Sequence, residues 1–521
     1  MNHHIGIAVS GGGHRATAWA LGVTKALVDN ELNQRVTSIT SVSGGSIANG
    51  YIAEHLDYQG ATPENFETAT GPLTELIGQK GLFLYGPATD RYVIGTLFVC
   101  ILSLASVWTA LTAILSAGHD HPTLPYGIAA LATLLIASYG TAKKWPHGSP
   151  AWLFALTVLL LGAAPLGTFV GAIGAIAIAI TIGVTLLLVL GSVVLLSRRG
   201  VAVTKALQTL LQNPLANIDR PIDHIFVAAD LETADALYLS PRFVSSYRRG
   251  ITTPTGISLA QAVQASAALP AAFPPSILNV SNNFMGARPA SDHNLRHEPT
   301  SKRLPLSDGG AYDNMGTQWD LGRAQRIQRW GPEAPATLGP SPTLLIVANG
   351  SAPFEWKTWK ANNPITRETS SLTRNQAIQY DQTTTTRRQL LFKTFNDYQN
   401  TGDGLGGIII MINRSPFYIC DEYAEDPASP FHTRALEMRS ALATAGDCPE
   451  SECDHSDDTC PVRQSWKGVV AHNQAVPTTL TKIGADTTQS LIAHARTATI
   501  AYLFVLHQLA DPTTVDAPPA R

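Results

Sequence analysis

Apolar and polar positions alternate at the start of the chain and then change period. Ile5, Ile7 and Val9 alternate across His4–Ser10, which predicts a short buried strand. After Gly11-Gly12-Gly13-His14-Arg15-Ala16, the spacing of Trp19, Leu21, Val23, Ala26 and Leu27 predicts a helix over Thr17–Asn30. A β-branched run, Val36–Val42, reads as a second strand that ends at Ser43, and Gly44–His55 reads as the helix that follows it. Further strands are predicted at Leu344–Asn349 and Ile408–Ile412. Helices are predicted over Thr369–Phe395 and Thr478–Gln508, the latter as a core-covering helix with an interfacial helix as the alternative, and a disordered Pro/Ala-rich tail from Ala510.

The middle of the chain breaks this pattern. Val93–Ala117 and Leu124–Ala142 are apolar runs, and Ala151–Ser197 is almost free of charge and long enough for two more; about 20 such residues suffice to cross a bilayer. Four spans are predicted, and an even number leaves both flanks on one side. Arg91, Lys143, Lys144, Arg198 and Arg199 all fall on that same side, which predicts that it is cytosolic. Trp145 and Trp152 fall where interfacial aromatics are expected, and Gly167-x-x-x-Gly171 suits close helix packing, within the bundle or between protomers. The first strand starts too early for a cleaved leader, so the first span is expected to act as an internal anchor. A buried core helix is the alternative for each run.

Strand, sharp turn and helix around Ser41-Val42-Ser43-Gly44-Gly45 suit a nucleophile elbow, in which a strained turn needs small neighbours. Gly45 fills the second small position of G-x-S-x-G, and Ser41 stands at the first. Ser43 falls at a helix N-terminus, where the dipole favours developing negative charge. Gly11, Gly12 and Gly13 suit an oxyanion hole, because glycine brings backbone N–H groups close to a reacting carbonyl. The same glycines also match a dinucleotide fingerprint or a plain turn. The second strand has no acidic residue at its end, and no Gly-Lys-Ser/Thr follows, which excludes a Walker loop.

Asp308-Gly309-Gly310 alone is a common turn. Together with Ser43 and the triple glycine, and with Val227-Ala228-Ala229-Asp230-Leu231-Glu232-Thr233 and the Ala265–Pro275 block, it resembles the patatin-like phospholipase family. The resemblance covers residues 4–60 and 222–320. It implies an α/β three-layer α/β/α sandwich, discontinuous in sequence: residues 1–90 and 200–509 as the two halves of a catalytic domain, which the apolar runs interrupt with 91–199 as an inserted four-helix transmembrane bundle, and 510–521 as tail. It implies Ser43 as nucleophile and Asp308 as its base, Gly11, Gly12 and Gly13 as oxyanion donors, and Arg15, Gly45, Gly309 and Gly310 in support. Ala16 stands where the family has glycine. His14 is read as a loop or ligand-facing residue.

The function implied is a membrane-bound serine lipid acyl hydrolase of phospholipase A or lysophospholipase type, working through an acyl-enzyme without cofactor or metal. The alternatives are a transacylase with the same dyad, or a catalytically weak membrane scaffold or sensor. The absence of Asp, Glu, Lys or Arg within the spans speaks against an ion path. The expected partner is membrane lipid, and a homo-oligomer through the insertion is left open. A net charge of −3 gives no reason to expect a nucleic-acid partner. Of 5 cysteines, Cys448, Cys453 and Cys460 cluster with His455; a Cys₃His zinc site is one reading and a surface loop with inert or redox-labile thiols the default.

Overall fold

The computed structural model describes residues 3–82, 199–270, 272–280, 282–286, 302–352, 367–448 and 459–519. The chain divides into two compact units, residues 1–86 with 203–521 and residues 87–202. All the strands described belong to the first unit.

The first unit begins with β1 (Ile5–Val9), α1 (Gly13–Asp29), β2 (Val36–Val42), α2 (Gly44–His55) and α3 (Pro63–Glu75). The described chain resumes with α4 (Arg199–Leu207), followed by β3 (Asp223–Asp230), β4 (Asp235–Leu239), β5 (Val244–Ser246), β6 (Gly250–Thr252) and α5 (Leu259–Ser266). Then come β7 (Ser276–Asn279), β8 (Arg303–Asp308), the single turn α6 (Gly310–Asp313), α7 (Gln318–Trp330), β9 (Leu344–Asn349), α8 (Arg367–Thr401) and β10 (Gly406–Met411). Four helices close the chain: α9 (Phe417–Ala424), α10 (His432–Ala445), α11 (Pro461–Ala475) and α12 (Ala485–His507).

One mixed sheet carries the fold, in the order β10-β9-β1-β2-β3-β4-β5-β6. The pairs from β10 to β3 are parallel, and those from β3 to β6 are antiparallel. The parallel strands are buried on both faces, as their near-continuous apolar runs require. Alternate residues serve opposite faces. Ile5, Phe226, Ile346 and Ile410 pack with α1, α2 and α12, whereas Ile225, Val227, Val347 and Ile409 pack towards α7 and α8.

Local chemistry explains several boundaries. Ser258 caps α5 in a reciprocal pair with Gln261, and Thr62 caps α3 with Pro63 in the first turn. Residues 478–484 do not join α12, because their carbonyls are used elsewhere: Thr479 O accepts from His14 N–H and Leu480 O from Leu82 N–H. The segment from Ala510 departs from the expected disordered tail as far as residue 519. Asp511 caps a turn over Pro512–Thr514, and Asp516 pairs with Arg496 at 2.8 Å.

Two expectations are corrected. One is the four-helix transmembrane bundle as part of the fold. The other is the location of the chain as an integral multi-pass membrane protein with a cytosolic catalytic domain. Among the described residues no helix is long and apolar enough to cross a membrane. The two longest show why: α8 carries Asp381, Arg387, Arg388 and Lys393, and α12 carries Asp486 and Arg496 with several threonines. The apolar runs behind both expectations, within residues 93–197, lie outside the described residues. An oligomer formed through that bundle loses its basis with them.

Candidate active site

The two halves of the predicted site meet along one edge of β3. On that edge β2 pairs up to Val42↔Val227, and β8 arrives from the opposite direction with Asp308↔Ala228. β4 occupies the other edge of β3 along Phe226–Asp230, so β2 and β8 share a side and end face to face. Ser43 follows the last residue of β2, and Asp308 is the last residue of β8.

Ser43 holds φ 52°, ψ −124°, a left-handed conformation that costs about 1–3 kcal/mol in an L-residue. The turn persists because its surroundings require it. The Ser43 N–H donates to both the carbonyl and the hydroxyl of Ser266, each at 3.1 Å. A Cβ on Gly44 would lie 2.0 Å from the Gly13 carbonyl oxygen, so only glycine lets α2 begin there. Gly45 packs on the Val9 side chain.

Asp308 is buried. Its Oδ1 accepts from the Gly310 N–H at 2.8 Å, and the Ser43 hydroxyl lies within reach of the carboxyl. Oδ2 has no closed hydrogen bond among the described residues, so Ser43 faces the carboxylate without being locked to it. Such looseness is common before substrate arrives. Burial pushes the Asp308 carboxyl up to about 6, against the smaller opposing pulls of Ser43 and the Gly310 N–H. The acid loop is tied to the elbow: Ser266 O also accepts from Gly309 N–H at 3.2 Å, and Ala268 O from Asp308 N–H at 3.0 Å. Gly309 crosses β3 so closely that a Cβ would sit 2.2 Å from Val227 O.

The three glycines divide their roles. Gly11 N–H is already donated to Asn314 O at 3.0 Å. Gly12 and Gly13 have no acceptor for their N–H groups among the described residues. Arg15 is buried and spends its donors on Gly350 O at 2.8 Å, on Val476 O and on the Thr478 hydroxyl at 3.2 Å. It thereby fastens the glycine loop to two distant segments, and burial pulls its pKa down to about 10. His14 points away from the dyad: Nδ1 lies 2.8 Å from Thr481 O, and burial holds its pKa at about 4, so it is neutral at pH 7.

Sequence reasoning missed a buried polar cluster beneath the elbow. Asn49 Nδ2 donates to Ser41 Oγ at 2.8 Å, and its Oδ1 lies 2.7 Å from His224 Nδ1. Ser46 Oγ donates to Ser41 Oγ at 3.1 Å and lies 2.8 Å from Ser266 Oγ, which donates to Val227 O at 2.6 Å. Ser41 is therefore a bonded part of the elbow's support. A run of small polar residues with Asn49 one turn on is the signal that could have found it.

Ser43, Asp308, Gly11, Gly12 and Asn314 line a cavity of about 200 Å³. Much of its wall is polar, with Asn349, Thr384, Asn413 and Gln474; Leu269, Met411 and Ile412 are apolar. Of the predicted zinc set, Cys448 and Cys460 are buried in the core, and Cys453 and His455 lie outside the described residues. Among the described residues no three His, Cys, Asp or Glu side chains are grouped as metal ligands.

No family model matches the sequence, and no curated protein matches it. Among solved structures the chain is similar to human GIVD cytosolic phospholipase A2, at 14% identity and a TM-score of 0.36, over 97% of this chain and 60% of that one. It is also similar to VipD from Legionella pneumophila, at 12% identity and a TM-score of 0.25, over 100% of this chain and 94% of that one. The chain thus spans about 60% of the length of the human phospholipase.

Proposed function

We propose that this chain is a serine hydrolase of lipid acyl esters that uses Ser43 and Asp308 as a dyad. One observation carries the reading: the strained Ser43 at the start of α2 faces the buried Asp308 carboxyl in the cavity that also holds Gly12. The patatin-like blocks support the substrate class, since all of them lie around this point: the glycine loop, the elbow, the end of β3, the Ser266–Ala268 clamp and the acid loop.

In the reaction, Asp308 accepts the Ser43 proton on its unpartnered Oδ2 as Ser43 Oγ bonds to the acyl carbon. The N–H groups of Gly12 and Gly13 receive the charge that develops on the carbonyl oxygen; loss of one such donor typically costs about 3 kcal/mol. The ester C–O bond breaks, and the alcohol leaves with the proton from Asp308. Water then attacks the acyl-enzyme with Asp308 again as base, releasing the acid and restoring Ser43.

The polar wall of Asn349, Asn413 and Gln474 also supports a transacylase variant, in which an alcohol takes the place of water. Analysis of the products formed with and without added glycerol separates the two. The test of the common chemistry is fatty-acid release from a lipid ester by wild type, Ser43→Ala and Asp308→Asn. Wild type should release acid and both variants should lose nearly all release; full release by Ser43→Ala contradicts the proposal.

A further inference from the structure

Asn314, the residue after α6, holds its side chain between Ser43 and Asp308. A Cβ on Gly11 would lie 2.4 Å from Asn314 Oδ1 and 3.2 Å from Ser43 Cβ. A Cβ on Gly310 would lie 2.8 Å from the same oxygen and 3.0 Å from Asp308 Oδ1. The two glycines therefore make room for one amide, which stands beside Ser43 on one side and Asp308 on the other. Its backbone is fixed as well, because Asn314 O accepts the Gly11 N–H at 3.0 Å.

Which end of the amide faces the dyad follows from Thr384 on α8. That hydroxyl spends its one hydrogen on Tyr380 O at 2.8 Å, so it meets Asn314 only as an acceptor. Asn314 Nδ2 donates to it at 3.4 Å, which leaves Oδ1 towards the dyad in the cavity that Asn314 lines. Among the described residues Oδ1 accepts no hydrogen bond.

Two acceptors, Asp308 Oδ2 and Asn314 Oδ1, thus face one reacting centre. A molecule with two hydrogens on one oxygen satisfies both, and a molecule with one does not. We infer that Asn314 is a catalytic residue of the second half of the reaction: its Oδ1 holds the attacking water and so directs the acyl group to water rather than to an alcohol. This rests on the hydrolase reading above. As the water oxygen bonds to the acyl carbon, one hydrogen passes to Asp308 Oδ2, and the other stays on that oxygen, donated to Asn314 Oδ1. The bond from the acyl carbon to Ser43 Oγ then breaks, Ser43 takes the proton from Asp308, and the acid leaves with the second hydrogen. An alcohol must give its one hydrogen to Asp308. Its carbon then abuts Asn314 Oδ1, which is left without a donor.

The test uses the full chain with 4-nitrophenyl butyrate and added glycerol, the fold of each variant being checked by circular dichroism. Nitrophenol release reports formation of the acyl-enzyme. The ratio of glyceryl butyrate to butyric acid, read by mass spectrometry, reports which acceptor resolves it. Asn314→Ala and the volume-keeping Asn314→Leu should each raise that ratio about tenfold, the scale of one lost hydrogen bond to the attacking water. The first, nitrophenol-releasing step should keep its rate within about threefold, since that contact is made only in the second. Thr384→Val frees the amide from its anchor and should raise the ratio about threefold, which keeps the test decisive if the Asn314 variants do not fold. An unchanged ratio, a rise in Asn314→Ala but not in Asn314→Leu, or a first step slowed as much as the second overturns the inference and leaves the hydrolase reading standing. Wild type that releases no nitrophenol overturns both.

Discussion

Ser43 and Asp308, far apart in sequence, are brought together by adjacent residues of one strand: β2 stops at Val42 opposite Val227, and Asp308 pairs with Ala228. Because β2 and β8 meet end to end on the same edge of β3, Ser43 and the Asp308 carboxylate are set by sheet register rather than by flexible loops. Ser266 then clamps both ends through a single carbonyl, which accepts from Ser43 and from Gly309.

Strain at Ser43 predicts a trade of stability against activity. Ser43 sits at φ 52°, which glycine adopts freely. Ser43→Gly should abolish acyl release yet raise the unfolding free energy by about 1 kcal/mol, the scale of a relieved left-handed residue. Urea denaturation of the two proteins measures it.

Asp308 predicts a pH dependence of activity. Only the ionised carboxylate accepts the Ser43 proton, and burial has moved its pKa up to about 6. kcat/KM should therefore fall about tenfold per pH unit below that value and level off above it, as for a single required base. A profile that is flat between pH 5 and 7 would contradict the assigned base.

The same shift predicts a pH dependence of stability. The folded-state pKa lies above the ordinary 3.8, so folding favours the protonated form. Its contribution is full below about pH 4 and is lost as pH rises through about 6. Asp308→Asn lacks this loss, so its stability relative to wild type should improve steadily across that window. Denaturation midpoints at a series of pH values give the comparison.

The clamp predicts a positioning role for the Ser266 hydroxyl, which donates to Val227 O and accepts from Ser43 N–H. Ser266→Ala should cost about 1–2 kcal/mol of stability, the scale of one or two buried hydrogen bonds. It should lower kcat several-fold while KM changes little. A matching rise in KM would point to a binding role instead.

Gly309 predicts a steric failure. An added Cβ meets Val227 O at 2.2 Å, and that oxygen belongs to a central strand that cannot move aside. Gly309→Ala should destabilise the fold by about 2 kcal/mol or more and remove activity, whereas Gly71→Ala, inside α3 with no heavy atom near the added Cβ and no positive φ, should not destabilise it. Thermal unfolding of both variants tests the contrast.

How much of this was legible in the sequence depends on the range of the interaction. The alternation of Ile5, Ile7 and Val9 and the β-branched run to Val42 marked β1 and β2, because strand faces repeat over two residues. The elbow was legible because glycine and serine crowd a tight turn. What the pattern could not hold is tertiary. Gly11 looked equal to Gly12 and Gly13 until Asn314 claimed its N–H. Ser41 looked like a defect until Asn49 and Ser46 bonded to it. Thr478–Gly484 carries helical spacing, yet its carbonyls serve the glycine loop and Leu82. For the apolar runs within residues 93–197, length and lack of charge alone carried the expectation of spans, and no helix among the described residues repeats that pattern.

The most direct test of the dyad is covalent labelling of the native protein by a fluorophosphonate, followed by peptide mass spectrometry. The account predicts a single phosphonylated residue, Ser43, labelled faster as pH rises through about 6 and far more slowly in Asp308→Asn. An unlabelled Ser43, or a Ser43 labelled equally fast in Asp308→Asn, would contradict it.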